Sequence, residues 1–227
     1  MRLFSLLEKA YGPLQWQPRL DPVSELVFTI LSQHTSDLNA ERCYRQLLTR
    51  FANWETVAQA QVAEIEGAIR SGGLARQKAS RISNVLRLIL DRRGSFDLSF
   101  LAGMPLSEAK AWLRQFPGVG PKTAAVVLAF SLGMPAMPVD THVFRVSKRL
   151  GLLDLKTSVE AAHDLLESLI PPRRVYPFHV YLITHGRRVC KAPRPRCDMC
   201  ILASLCPSLR SFLPQLPNPG RRIPPKG

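Results

Sequence analysis

No stretch of this 227-residue sequence is apolar for long enough to cross a bilayer as a helix. The longest candidate, residues 124–137, is broken by Ser131, Gly133 and Pro135, and reads as a buried core helix. A secretory leader is missing too: the apolar residues 3–7 give way to Glu8 and Lys9 too soon for a cleavable segment. The chain is therefore expected inside the cell, cytoplasmic and nucleoid-associated if bacterial, with no membrane partner. Polar–apolar alternation bounded by hairpin turns is absent, and so is a solenoid repeat. Acidic side chains are scarce, with 17 Asp and Glu against 31 Lys and Arg, a formal net charge of +14. That balance predicts a polyanionic partner, because each neutralised phosphate releases counterions. Nucleic acid is the first candidate and an anionic membrane surface the second.

What is present is helical spacing. Val23, Leu26, Val27 and Ile30 form one apolar stripe, Ile82, Val85, Leu86 and Ile89 another, and Val159, Ala162, Leu166 and Leu169 a third. The fold class read from this is all-α. Asp21 before Pro22 is an N-cap followed by proline at the first helical position. Ser36-Asp37 opens a second helix, Gly72-Gly73 stops the segment before it, and Met104-Pro105 opens another. Residues 207–227 are rich in proline and basic side chains, and are expected to be a flexible tail that either touches phosphate or only links.

The string Phe116-Pro117-Gly118-Val119-Gly120-Pro121-Lys122-Thr123-Ala124 falls between two predicted helices, residues 106–115 and 121–132. Gly118 and Gly120 allow a sharp turn and leave amide N–H groups uncovered, while Val119 packs inward. Amides at a helix N-terminus favour an anion such as phosphate. A plain helix–turn–helix corner would use the same glycines for geometry alone. Lys122 stands in the first turn of the second helix. A lysine amine ordinarily titrates near 10.4, so a nucleophilic one needs burial or positive potential to shed its proton. A phosphate-binding lysine needs neither.

Further on, Val139-Asp140-Thr141-His142 places Asp140 as the N-cap of a following helix. Cys190, Cys197, Cys200 and Cys206 are spaced by six, two and five residues. Thiolates gathered so closely need a cation or a cluster to neutralise them. In an intracellular chain that means metal ligation and not disulfides. Zinc is the default for four cysteines, although its commoner pattern is two short-spaced pairs. Arg187, Arg188, Lys191, Arg194 and Arg196 crowd the first two cysteines, placed to meet DNA phosphates or to balance ligand charge. Cys43 and His142 read as structural.

Three of these motifs together, the glycine hairpin with its lysine, the Val-Asp-Thr-His string and the cysteine spacing, resemble the endonuclease III family of helix-hairpin-helix DNA glycosylases. The resemblance runs from about residue 23 to residue 206. It implies two helical lobes with a DNA-binding cleft between them: residues 20–130 as a six-helix lobe with the hairpin, and residues 1–19 plus 131–206 as an iron–sulfur lobe. By the same resemblance Lys122 is a Schiff-base nucleophile. Asp140 faces it across the cleft, stabilising charge on the sugar, and the four cysteines hold a [4Fe–4S] cluster. Two loops, residues 31–37 and 73–79, would plug the gap left by an everted base, with Gln33 or His34 and Leu74 as the plugging side chains. Many members carry glutamine where His34 stands, which bears on lesion range. The implied function is a monomeric glycosylase and abasic-site lyase acting on oxidised pyrimidines in double-stranded DNA. The alternatives are a mismatch thymine or uracil glycosylase on the same scaffold, and a non-catalytic DNA-binding paralogue.

Overall fold

Side-chain caps decide where several of these helices begin. In the computed structural model, which describes residues 2–213, the Asp21 carboxylate accepts the amides of Val23 and Ser24 and starts α2, Pro22–Ser32. Ser36 accepts the amide of Asn39 and starts α3, Asp37–Arg50. Asn53 and Thr56 close a reciprocal capping box at α4, Trp54–Gln59. Around these run α1 (Arg2–Tyr11), α5 (Val62–Ala68), α6 (Ala75–Arg93), α7 (Leu106–Arg114) and α8 (Pro121–Leu132). α9 (Thr141–Arg149), α10 (Val159–Leu169), α11 (Val175–Arg188) and the short α12 (Leu209–Phe212) follow. Short 3-10 turns complete the regular structure, and no strand occurs among the described residues. The fold is all-α. None of the described helices is long and apolar enough to cross a membrane.

The chain divides into two units. The larger takes residues 15–138 and 167–176. Its core is built from the α2 stripe, the α6 stripe through Ile82, Val85, Leu86 and Ile89, and α8, which is buried along most of its length. Near its start the Trp16 indole donates to the Ala129 carbonyl, and its ring packs on Gly133, where φ is +65°. Glu25 is fully buried and paired with Arg19, whose guanidinium also lies over the Phe28 and Phe130 rings. Residues 167–176 belong here because Glu167 pairs with Lys110 and accepts the amide of Met137.

Of the described residues, the smaller unit takes 2–14, 139–166 and 177–213. Helix α1 docks on α11 through aromatic contacts of Phe4 with Phe178 and Tyr181, and the Tyr181 hydroxyl donates to the Gly12 carbonyl. In α10 the expected stripe is buried at Ala162 and Leu166, while Val159 and Leu169 stay half exposed. Within the segment expected as a tail, residues 207–213 carry α12, with the Arg149 guanidinium over the Phe212 ring. The rest of that segment lies outside the described residues.

Candidate functional site

In the larger unit, the hairpin turns because Gly118 adopts φ +79°, a region that suits glycine. The Arg81 stem lies directly over it: a Cβ at 118 would come within 2.8 Å of Arg81 Cδ. Val119 is buried and its amide donates to the Phe116 carbonyl, pinning the turn to the core. Gly120 is different. Its φ is −88°, and nothing lies within 4 Å of where a Cβ would stand. It occupies the N-cap of α8, so no side chain caps that helix, and Lys122 is exposed in its first turn. An uncapped helix start with positive potential is suited to an anion.

The two expected plugging loops are shorter than predicted. Leu31 and Ser32 still belong to α2, and α6 already begins at Ala75. What remains of each carries an unusual backbone: His34 at φ 52° and Leu74 at φ 50° are the non-glycine residues with positive φ among the described residues. Both side chains are exposed, Leu74 to 55%. Gln33, the other candidate, is engaged elsewhere. Its Oε1 accepts from Arg81 Nη1 at 2.8 Å, and its Nε2 donates to the Gly118 carbonyl at 3.4 Å. The structure thus ties Gln33 to the hairpin and leaves His34 outward.

Lys78 also belongs to this region, and sequence reasoning passed over it as one residue of a loop. It is only 2% exposed, and its Nζ donates to the Leu31 carbonyl at 2.7 Å and to the Gly72 carbonyl at 2.8 Å. Burial pushes its amine below the usual lysine value. A signal was available: position 78 falls one turn before Ile82 on the apolar stripe of α6, where a lysine has no solvent to reach.

In the smaller unit, the Asp140 carboxylate accepts the Val143 amide at 2.7 Å and so caps α9. The Arg145 guanidinium donates to the carbonyls of Gly186 and Cys190, and meets His142 Nδ1. His142 is a structural partner there. Cys190, Cys197, Cys200 and Cys206 line one pocket together with Arg149 and His185. Arg149 Nη1 donates to Cys190 Sγ at 3.3 Å and to the Lys191 carbonyl. Burial, reinforced by the neighbouring sulfurs, pushes the thiols of Cys197 and Cys206 up; for Cys200 burial again leads. His185, buried and with its pKa pushed down to about 4, is neutral near pH 7 and touches Tyr11 Oη and Cys200 Sγ. No set of three or more His, Cys, Asp or Glu side chains among the described residues is arranged to hold a single metal ion. The four thiols that line this pocket are the soft donor type that iron–sulfur clusters take. Arg187 and Lys191 are exposed at the end of α11 and just beyond it. Cys43 is buried, with its Sγ against the Ile69 carbonyl.

Residues 27–172 match the family described as HhH-GPD superfamily base excision DNA repair protein. Endonuclease III of Thermotoga maritima is 33% identical over 186 residues, covering 82% of this chain and 83% of the relative. A chain of Arabidopsis thaliana, named only provisionally as a DNA glycosylase, is 39% identical over 162 residues; the match spans 71% of this chain and 55% of that longer one. Among solved structures, a non-covalent endonuclease III–DNA complex superposes with a TM-score of 0.80 at 29% identity, covering 94% of this chain and 96% of the other.

Proposed function

The chain belongs to the HhH-GPD superfamily of base excision DNA repair proteins and, within it, to the endonuclease III family; from that premise we propose which of its residues do the work of a base excision repair DNA glycosylase and lyase. Its substrate is double-stranded DNA carrying an oxidised pyrimidine or an abasic site, bound by a monomer inside the cell. The amides of Gly118 and Gly120 hold a backbone phosphate, while the Val119 amide, spent on the Phe116 carbonyl, keeps the turn rigid. His34 and Leu74 fill the gap left by the everted base. Arg187 and Lys191 add phosphate contacts.

Lys122 attacks C1′ of the damaged nucleotide through its amine lone pair. The base leaves with the glycosidic electron pair and takes up a proton, and the amine gives up its own. Ring opening yields an imine, and loss of a C2′ proton then expels the 3′ phosphate by β-elimination. The Asp140 carboxylate stabilises positive charge on the sugar as the base departs. The observation that carries this reading is an exposed lysine in the first turn of a helix that no side chain caps, directly after the hairpin. A mismatch glycosylase working only by water would have no use for an amine there.

Cys190, Cys197, Cys200 and Cys206 would hold a [4Fe–4S] cluster, which when bound cross-links residues 190–206 into a charged, rigid loop. Incubation with abasic duplex and borohydride tests the amine. The wild type should form a covalent adduct that Lys122→Ala loses. Equal trapping by both proteins would remove Lys122 from the mechanism.

A further inference from the structure

A buried ammonium is an expensive feature for a core, and lysine is almost never fully buried unless its charge is met. Lys78 is met by two carbonyls and, among the described partners, by no carboxylate. Those acceptors are not neighbours in sequence. Leu31 sits in the last turn of α2, where helix carbonyls run out of intrahelical partners and the dipole is negative. Gly72 closes the 3-10 turn Arg70–Gly72. One three-donor head group therefore holds both chain segments at once.

What lies downstream of each acceptor gives the contact its meaning. Three residues after Leu31 comes His34, and two after Gly72 comes Leu74, the two described non-glycine residues with positive φ. Such backbones persist only where the surroundings dictate them. The surroundings are tight here, since a Cβ at Gly72 would stand 2.7 Å from Cys43 Sγ. One turn along α6, Arg81 adds a second tie by donating to Gln33 and covering Gly118. We propose that Lys78 is a positioning residue: by gripping Leu31 and Gly72 it sets His34 and Leu74 in one register, so that the two enter DNA together when the base is everted. This rests on the plugging role given above to His34 and Leu74.

An abasic site has no base to evert, so the proposal predicts a split between two activities of one protein. Full-length, cluster-loaded wild type, Lys78→Met and Lys78→Gln are compared on duplex carrying an oxidised pyrimidine and on duplex carrying a preformed abasic site. The ratio of base excision to strand cleavage should fall on the order of 10- to 100-fold in both variants, as expected when reacting groups are misplaced by an ångström or so. A 2-aminopurine opposite the lesion should show a correspondingly smaller rise in fluorescence on binding. A partly unfolded variant lowers both activities in proportion and leaves the ratio alone. A ratio within about twofold of wild type, with normal 2-aminopurine signals, would overturn the proposal. Failure of the wild type itself to excise a base would count against the enzymatic reading and not against the role of Lys78.

Discussion

Two glycines two positions apart serve opposite ends. Gly118 answers to the fold: positive φ and the Arg81 stem both exclude a side chain. Gly120 answers to what the hairpin must admit, because its backbone suits any residue and open space surrounds it. Gly118→Ala should therefore cost about 1–2 kcal/mol of stability from the left-handed backbone alone, read as a lower midpoint in urea. For Gly120→Ala, the poorer N-cap is offset by about 0.4–1 kcal/mol from restricting the unfolded chain, so stability should hold. Its added methyl sits beside the amides proposed to hold phosphate, so DNA affinity should drop roughly tenfold in a titration, about 1.4 kcal/mol. Unchanged affinity would make the hairpin a geometric corner only. Sequence could name both glycines but could not tell them apart, because the difference lies in Arg81, 37 residues away from Gly118 by subtraction of their numbers.

At the scale of elements, helix starts are where sequence and structure agree most directly. Asp21, Ser36 and Asp140 cap α2, α3 and α9 through contacts confined to three residues. Locality makes such signals legible. It also makes Asp140 ambiguous, since the same carboxylate caps α9 and is assigned a role in charge stabilisation. Asparagine keeps a side-chain oxygen and can still cap. Asp140→Asn should therefore melt within a degree or two of wild type while single-turnover base excision falls at least about 100-fold. Asp140→Ala should lose about 1 kcal/mol of stability in addition. Retained excision by the asparagine variant would reduce Asp140 to a cap. The plugging loops were less legible. Their lengths depend on where α2 ends and α6 begins, and Lys78, reaching carbonyls 47 and 6 residues away, ties both ends together.

On the scale of the whole molecule, the larger unit encloses its own core, whereas all four clustered cysteines belong to the smaller one. Loss of the proposed cluster should act locally. Removing iron from the loaded protein with a chelator and oxidant should raise hydrogen exchange across residues 190–206 and leave α2, α6 and α8 protected. Uniform loss of protection would mean that the two units unfold as one. If zinc replaces iron in the purified protein, with no visible absorbance, the cluster assignment fails.

What the sequence settled by itself is whatever depends on residues near one another in the chain: helix spacing, caps, the turn at the hairpin, the cysteine interval and the excess of positive charge. Each follows from local backbone preference, thiol chemistry or a simple sum of charges. Only the tertiary structure decided that Gln33 is bound to the hairpin while His34 faces outward, that a lysine on an apolar stripe is buried against two loop carbonyls, and that residues 167–176 return to the larger unit through Glu167. Those outcomes depend on partners brought together by packing of the whole chain, and no periodicity along the sequence encodes which distant carbonyl a side chain will meet.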